Sequence, residues 1–165
     1  MKLQTGDIVL VKGNTPIISR LINWITGSDY THAGIIVADG LILEIDINKD
    51  LAIRPLKHEV YDIYRYTKGL TSEQRTKIIK QAIRRAKLNK GYDWIHIISF
   101  ALQKIFRISA TFEEVNKVVC SEIVDNIYND IGIDLVPNCA DGDVTPEQLA
   151  TSPYLKKLFS CKQVA

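Results

Sequence analysis

The stretch His32-Ala33-Gly34-Ile35-Ile36-Val37-Ala38-Asp39-Gly40-Leu41-Ile42-Leu43-Glu44-Ile45-Asp46 sets two apolar runs around an Asp-Gly pair, the pattern of a β-hairpin. A one-residue slip in register moves every side chain to the opposite face, so the loop length decides what this hairpin buries. A two-residue loop pairs Ala38 with Leu41 and sets Ala33, Ile35 and Val37 beside Ile42, Glu44 and Asp46, a mixture that suits neither core nor water. A three-residue loop of Ala38, Asp39 and Gly40, a type I turn closed by a left-handed glycine, pairs Val37 with Leu41 instead. Ala33, Ile35, Val37, Leu41, Leu43 and Ile45 then share one wholly apolar face, and His32, Gly34, Ile36, Ile42, Glu44 and Asp46 share the other. Glu44 falls across from Gly34 and diagonal to His32, while Asp46 falls directly opposite His32, so a carboxylate beside the imidazole is expected and both acids remain candidates. Gly34 is expected to leave room over the sheet next to the ring. An isolated histidine near a strand end is more often a surface imidazole paired with an acid, and the hairpin alone does not decide between the two roles.

Outward from the hairpin, Asp7 to Lys12 reads as a first strand, and Pro16 suits the first turn of a helix with Ile17, Ile18, Leu21, Ile22 and Ile25 as its apolar stripe. Further strands are expected at Ala52 to Leu56 and Val60 to Tyr66. Thr71 or Ser72 can cap a long helix to near Asn89, with Ile78, Ile79, Ala82, Ile83 and Ala86 at helical spacing. Asp93 to Phe106 reads as another helix, and Arg107 to Val115 is ambiguous, with loop as one reading. A helix then runs from Ser121 to near Ile131 and stops at Gly132, and Thr145-Pro146 opens a short final helix. Strands gathered early and helices late indicate an α+β fold. A chain of 165 residues suffices for one core, so residues 1–165 are read as a single domain.

Apolar residues make up 46% and charged residues 24% of the chain, which excludes a disordered, collagenous or coiled-coil protein. Met1 leads almost at once into a strand, without the apolar segment of a secretory signal, and the longest apolar stretch, Ile95 to Phe106, is too short and too interrupted to span a bilayer. The expected setting is therefore cytoplasmic or phage- or host-associated. Three cysteines at irregular spacing offer no disulfide framework. His58-Glu59 has Asp62 where a zincin helix needs its second histidine, and Cys139 interrupts the calcium-like run Asn138 to Gly142, so no metal or other cofactor is expected. The helix over 72–90 carries Arg75, Lys77, Lys80, Arg84, Arg85, Lys87 and Lys90. It reads first as a solvated polar face, with weak docking on an anionic membrane or polymer as the functional alternative. It lacks interleaved aromatic residues and the net charge is only +2, so nucleic acid is not an expected partner.

Ile123, Val124, Ile127 and Ile131 lie on one helical face, and one turn back along it lies Cys120. A thiol on such a face is as often a small apolar filler as a nucleophile. At a helix N-terminus, however, the positive end of the macrodipole favours the thiolate. Cys139, in a polar loop, and Cys161, in a Lys-flanked tail, lack that setting. Among the other histidines, His96 sits within an apolar helix and His58 in a charged turn, and both are set aside as bases.

Thr31-His32-Ala33-Gly34-Ile35-Ile36-Val37, Asp39-Gly40, Leu43-Glu44 and Val119-Cys120-Ser121-Glu122-Ile123-Val124 together resemble the NlpC-like branch of papain-fold cysteine hydrolases. Gly6-Asp7-Ile8-Val9, Tyr92-Asp93 and the run from Thr145-Pro146 to Ser152-Pro153 extend the likeness over most of the chain. His32 precedes Cys120, the reverse of the usual order, which is similar to the circularly permuted, YiiX-like subgroup with its Cys, His and Glu triad. The resemblance implies an antiparallel sheet or partial barrel packed against several helices, with Cys120 as nucleophile, His32 as base and Glu44, rather than Asp46, as the group orienting the imidazole. It implies cleavage of an amide or ester bond in a small acyl, peptide or lipid-like substrate through an acyl-enzyme. An acyltransferase with the same triad and an inactive lipid- or peptide-binding module are the competing classes. The oxyanion is expected near the first turn of the nucleophile helix, with the Cys120 N–H as one donor.

Overall fold

The β-branched run Ile8–Lys12 (β1) lies between Tyr30–Ala38 (β2) and Val60–Tyr66 (β5), antiparallel to both. Leu41–Asp46 (β3) and Lys49–Pro55 (β4) extend the sheet beyond β2, and Leu155–Lys162 (β6) extends it beyond β5. The strand order is β4-β3-β2-β1-β5-β6, an open antiparallel sheet of six strands with β4 and β6 at its edges. Ser72–Leu88 (α1), Phe112–Asn129 (α2) and Pro146–Thr151 (α3) complete an α+β architecture. The computed structural model describes residues 2–13, 29–46, 49–88, 112–137, 139 and 144–162. The helices expected from Pro16 and from Asp93 to Phe106, with His96 and Tyr92-Asp93, lie outside the described residues. So do Asn138 and residues 140–143 of the calcium-like run.

The sheet is buried on both faces near its centre. On one face Ile8, Leu10, Ala33, Ile35, Val37, Leu43 and Ile45 pack with Ile78 and Ala82 of α1 and with Cys120, Ile123, Val124, Ile127 and Tyr128 of α2. On the other, Val9, Ile36, Ile42, Tyr61 and Ile63 form a second cluster. The hairpin pairs Ile35 with Leu43 and Ile36 with Ile42, the register that separates the two faces. Its closure differs from the expected three-residue loop. Ala38 pairs with Leu41 around a two-residue Asp39-Gly40 turn, with Gly40 at φ +71°, and the extra residue is Val37, bulged within β2. The bulge keeps Val37 in the core, whereas Leu41, expected there as well, is 37% exposed.

Gly34 does not leave open space beside the ring. A Cβ there would stand 2.5 Å from Ile42 Cδ1 and 3.0 Å from the Leu43 carbonyl oxygen, so the missing side chain is what lets Ile42 lie across β2. Residues 155–162, read from sequence only as a Lys-flanked tail, form the edge strand β6 on β5; a shift of register between Ile63 and Tyr64 interrupts the alternation that would have marked it. Thr71 and Gln74 cap α1 reciprocally, and Thr145 and Gln148 do the same for α3. Of the basic residues on α1, Arg75 donates to Thr5 O and Gln4 Oε1, and Arg85 pairs with Asp130 at 2.7 Å. No helix among the described residues is long and apolar enough to cross a membrane.

The largest departure from expectation is α2. It begins at Phe112, so Cys120 lies well inside the helix rather than at its start. Phe112, Val115, Val119 and Ile123 continue the apolar spacing without a Gly or Pro, and Glu113 and Glu114 suit the positive end of the dipole. Of the span with loop as one reading, residues 112–115 therefore belong to the helix, and residues 107–111 lie outside the described residues.

Candidate active site

The meeting of Cys120 and His32 depends on where β2 and β3 part. Ile36 exchanges backbone hydrogen bonds with Gly6 and Asp7 at the β1 side, so Ala33 and Ile35, of opposite parity, aim their amides toward β3. The β2–β3 register begins at Ile35 and Leu43 and includes no partner for Ala33. The Ala33 N–H donates instead to the Cys120 sulfur at 3.2 Å. The thiol reaches this opening from the helix-covered face, where Cys120 packs with the core and is 2% exposed. His32 approaches from the alternate face of the same strand.

Beside the opening, Glu44 Oε2 accepts from His32 Nε2 at 3.1 Å and from His58 Nε2 at 2.6 Å. Glu44 pairs across β3 and β4 with Ala52. The two rings lie 5.6 Å apart, tilted by 52°. Asp46, the acid expected opposite His32, pairs its backbone with Lys49 after an irregularity at residues 44–46, and Glu44 is the acid at the ring. By sequence His58 belongs to a charged turn and does not stand out as a site residue. The turn between β4 and β5 folds back onto β3, and no local pattern announces that return; only the shared parity of Leu56 and His58 hints that both face the sheet.

Glu44 occupies Nε2 of His32, which leaves Nδ1 as the ring nitrogen for the sulfur. Burial is the strongest single influence on His32 and opposes its protonation. The charge of ionised Cys120, a hydrogen bond to that sulfur and the Glu44 carboxylate together outweigh it and raise the imidazole from 6.5 to about 10. Burial also pushes Glu44 upward, but hydrogen bonds and charge from His32 and His58 hold its carboxyl down at about 2. The arrangement thus favours an imidazolium at His32, held between the Cys120 sulfur and the Glu44 carboxylate.

Two chemical expectations change with the helix. The macrodipole acts within the first turn, so it does not reach Cys120. An amide nine residues into a helix bonds to the carbonyl four residues back, so the Cys120 N–H is not free to receive an oxyanion. The local donor at the sulfur is the Ala33 amide, which sequence reasoning missed because it depends on a break in strand pairing. The other two cysteines stand elsewhere: Cys139 Sγ accepts from Gln148 Nε2 at 3.5 Å, and Cys161 pairs with Tyr61 on the outer strands.

A family model described as permuted papain-like amidase enzymes of the YaeF/YiiX type, the C92 peptidase family, matches residues 2–159. The crystal structure of metalloprotein yiiX from Escherichia coli O157:H7 is similar, with a TM-score of 0.64 and 21% identity over 98% of this chain and 99% of that one. At that identity the likeness speaks for the fold. No curated protein matches the chain.

Proposed function

On the premise that this chain belongs to the permuted papain-like amidase family, with a cysteine hydrolase-like function, we propose that Cys120 is its nucleophile, His32 its acid–base group and Glu44 the residue that orients His32. The observation that carries this reading is the sulfur of Cys120 receiving the Ala33 N–H beside an imidazole whose far nitrogen is tied to Glu44. The Cys120 thiolate attacks the acyl carbon, and the carbonyl π electrons move onto oxygen. As the tetrahedral centre collapses, the bond to the leaving nitrogen or oxygen breaks and His32 Nδ1–H supplies its proton. Neutral Nδ1 then takes a proton from water as the hydroxyl attacks the thioester, and departure of the sulfur restores thiolate and imidazolium. Glu44 accepts from Nε2 throughout and fixes which nitrogen faces the sulfur.

Acylation removes the sulfur's negative charge, so the Ala33 N–H loses its charged acceptor as an oxyanion forms two bonds away. That amide is our candidate oxyanion donor in place of the Cys120 N–H. The substrate is an amide or ester of a cell-wall peptide, lipid-linked or similar acyl compound. Intact-mass detection of a covalent adduct with an electrophilic acyl probe tests the reading. One acyl group is expected on the wild-type chain, none on Cys120→Ala, and a strongly slowed adduct on His32→Ala. An adduct that persists on folded Cys120→Ala would remove the assignment.

A further inference from the structure

We propose that His32, Glu44 and His58 form a binding site for a zinc-type divalent cation, and that filling it withdraws His32 from acid–base duty and holds the enzyme inactive. The inhibitory part rests on the reading of His32 and Cys120 as a catalytic pair; the binding part does not.

Two imidazole nitrogens converge on one carboxylate oxygen, at 3.1 and 2.6 Å, and the three ligand atoms lie within 4.8 Å of one another. On a tetrahedral zinc sphere with bonds near 2.1 Å, neighbouring ligand atoms stand about 3.4 Å apart. Small side-chain shifts suffice to open that spacing here. Both histidines present Nε2 to the same Glu44 oxygen, and their rings are tilted rather than stacked. Two neutral nitrogens and one carboxylate suit zinc and its late first-row neighbours, whereas calcium and magnesium prefer oxygen alone. The site has a route to solvent, because the His32 and His58 side chains keep 16% and 29% of their surface exposed. Position explains the consequence for chemistry. The cation takes the Nε2 side of His32, away from Cys120, and a ring bound through Nε2 carries its remaining proton on Nδ1. Releasing that proton to a leaving group would generate an imidazolate, so the acid step fails.

The test starts from metal-free protein titrated with Zn2+ against a chelating dye, with Co2+ absorption as a second readout. One zinc per chain is expected, weakened at least tenfold in both His58→Gln and Glu44→Gln, with circular dichroism to establish that each variant folds. Cys120→Ala should bind zinc at least as tightly as the wild type, and the cobalt spectrum should lack a thiolate charge-transfer band. In the wild type, zinc should slow acyl-probe labelling of Cys120 at least tenfold, with recovery on chelation. Zinc affinity unchanged in folded His58→Gln, or lost in Cys120→Ala, would overturn the proposed ligands. Stoichiometric zinc without slowed labelling would overturn the inhibitory role. If Cys120 takes up no probe even in metal-free protein, the catalytic reading fails, while the titration still decides the site.

Discussion

At Cys120 the polar neighbours of the sulfur are a backbone amide and an imidazole, Ala33 N–H and His32, rather than a helix end. Cys120→Ala is therefore expected to remove hydrolysis by at least about 10^3-fold while leaving the fold, since Ala replaces a small buried side chain; initial rates and circular dichroism check both halves. Glu44 helps to hold the proton on His32 up to about 10. If His32 is the acid–base group proposed, activity should thus fall on the alkaline side near that value, and Glu44→Gln should move the alkaline limb of kcat/KM to lower pH. A pH–rate profile with an unmoved limb would separate Glu44 from His32. The same shift has a stability sign. Because the folded pKa is raised, the contribution of His32 is complete below about 6.5 and disappears as pH rises through about 10.

The hairpin of β2 and β3 sets the position of both His32 and Glu44, and its packing turns on Gly34. Gly34→Ala brings a Cβ to 2.5 Å from Ile42 Cδ1 and 3.0 Å from the Leu43 carbonyl, a backbone atom that yields little. The expected cost is about 1–3 kcal/mol in urea unfolding, and less in an Ile42→Ala background, where the side-chain clash is gone. The helix α2 is fastened to the start of β1 by Tyr128, whose hydroxyl donates to Gly6 O at 2.5 Å in a buried contact. Tyr128→Phe should cost about 1 kcal/mol by the same measurement.

Across the sheet, the buried carboxylates Asp62 and Asp7 are matched with cations from neighbouring strands. Asp62 of β5 meets Lys12 of β1 and Lys157 of β6, and Asp7 meets Arg65. Burial pushes Asp62 up, but Lys157, Tyr30, Ser160 and Lys12 hold its carboxyl at about 2, as the two histidines hold Glu44. Depressed carboxyls stabilise the fold fully above their unfolded values near 4, and that stabilisation is lost as pH falls through about 2. Thermal unfolding should therefore be nearly flat in pH just above 4.5 and drop steeply below it. Asp62→Asn should lower the midpoint near neutrality and flatten the acid slope. An acid slope as steep as the wild type's would show that Asp62 is not among the groups responsible.

The α+β class, the two-faced hairpin, the capped helices α1 and α3 and the pairing of His32 with an acid were legible in the sequence, because each rests on local periodicity, capping chemistry or cross-strand adjacency. The resemblance implied permutation and the Cys, His and Glu set, and the family match spans nearly the whole chain. Local pattern left the stretch before Cys120 open, and the helix that carries the sulfur starts eight residues earlier, at Phe112. Nor could it reveal His58. A search for metal ligands along the sequence looks for fixed spacings on one helix or loop, whereas His32, Glu44 and His58 come from a strand, its neighbour and a returning turn. The side chains on each element follow from residue order and helical or strand period. Which elements open to admit a sulfur, and which turn folds back over a carboxylate, is decided by long-range packing that no local spacing encodes.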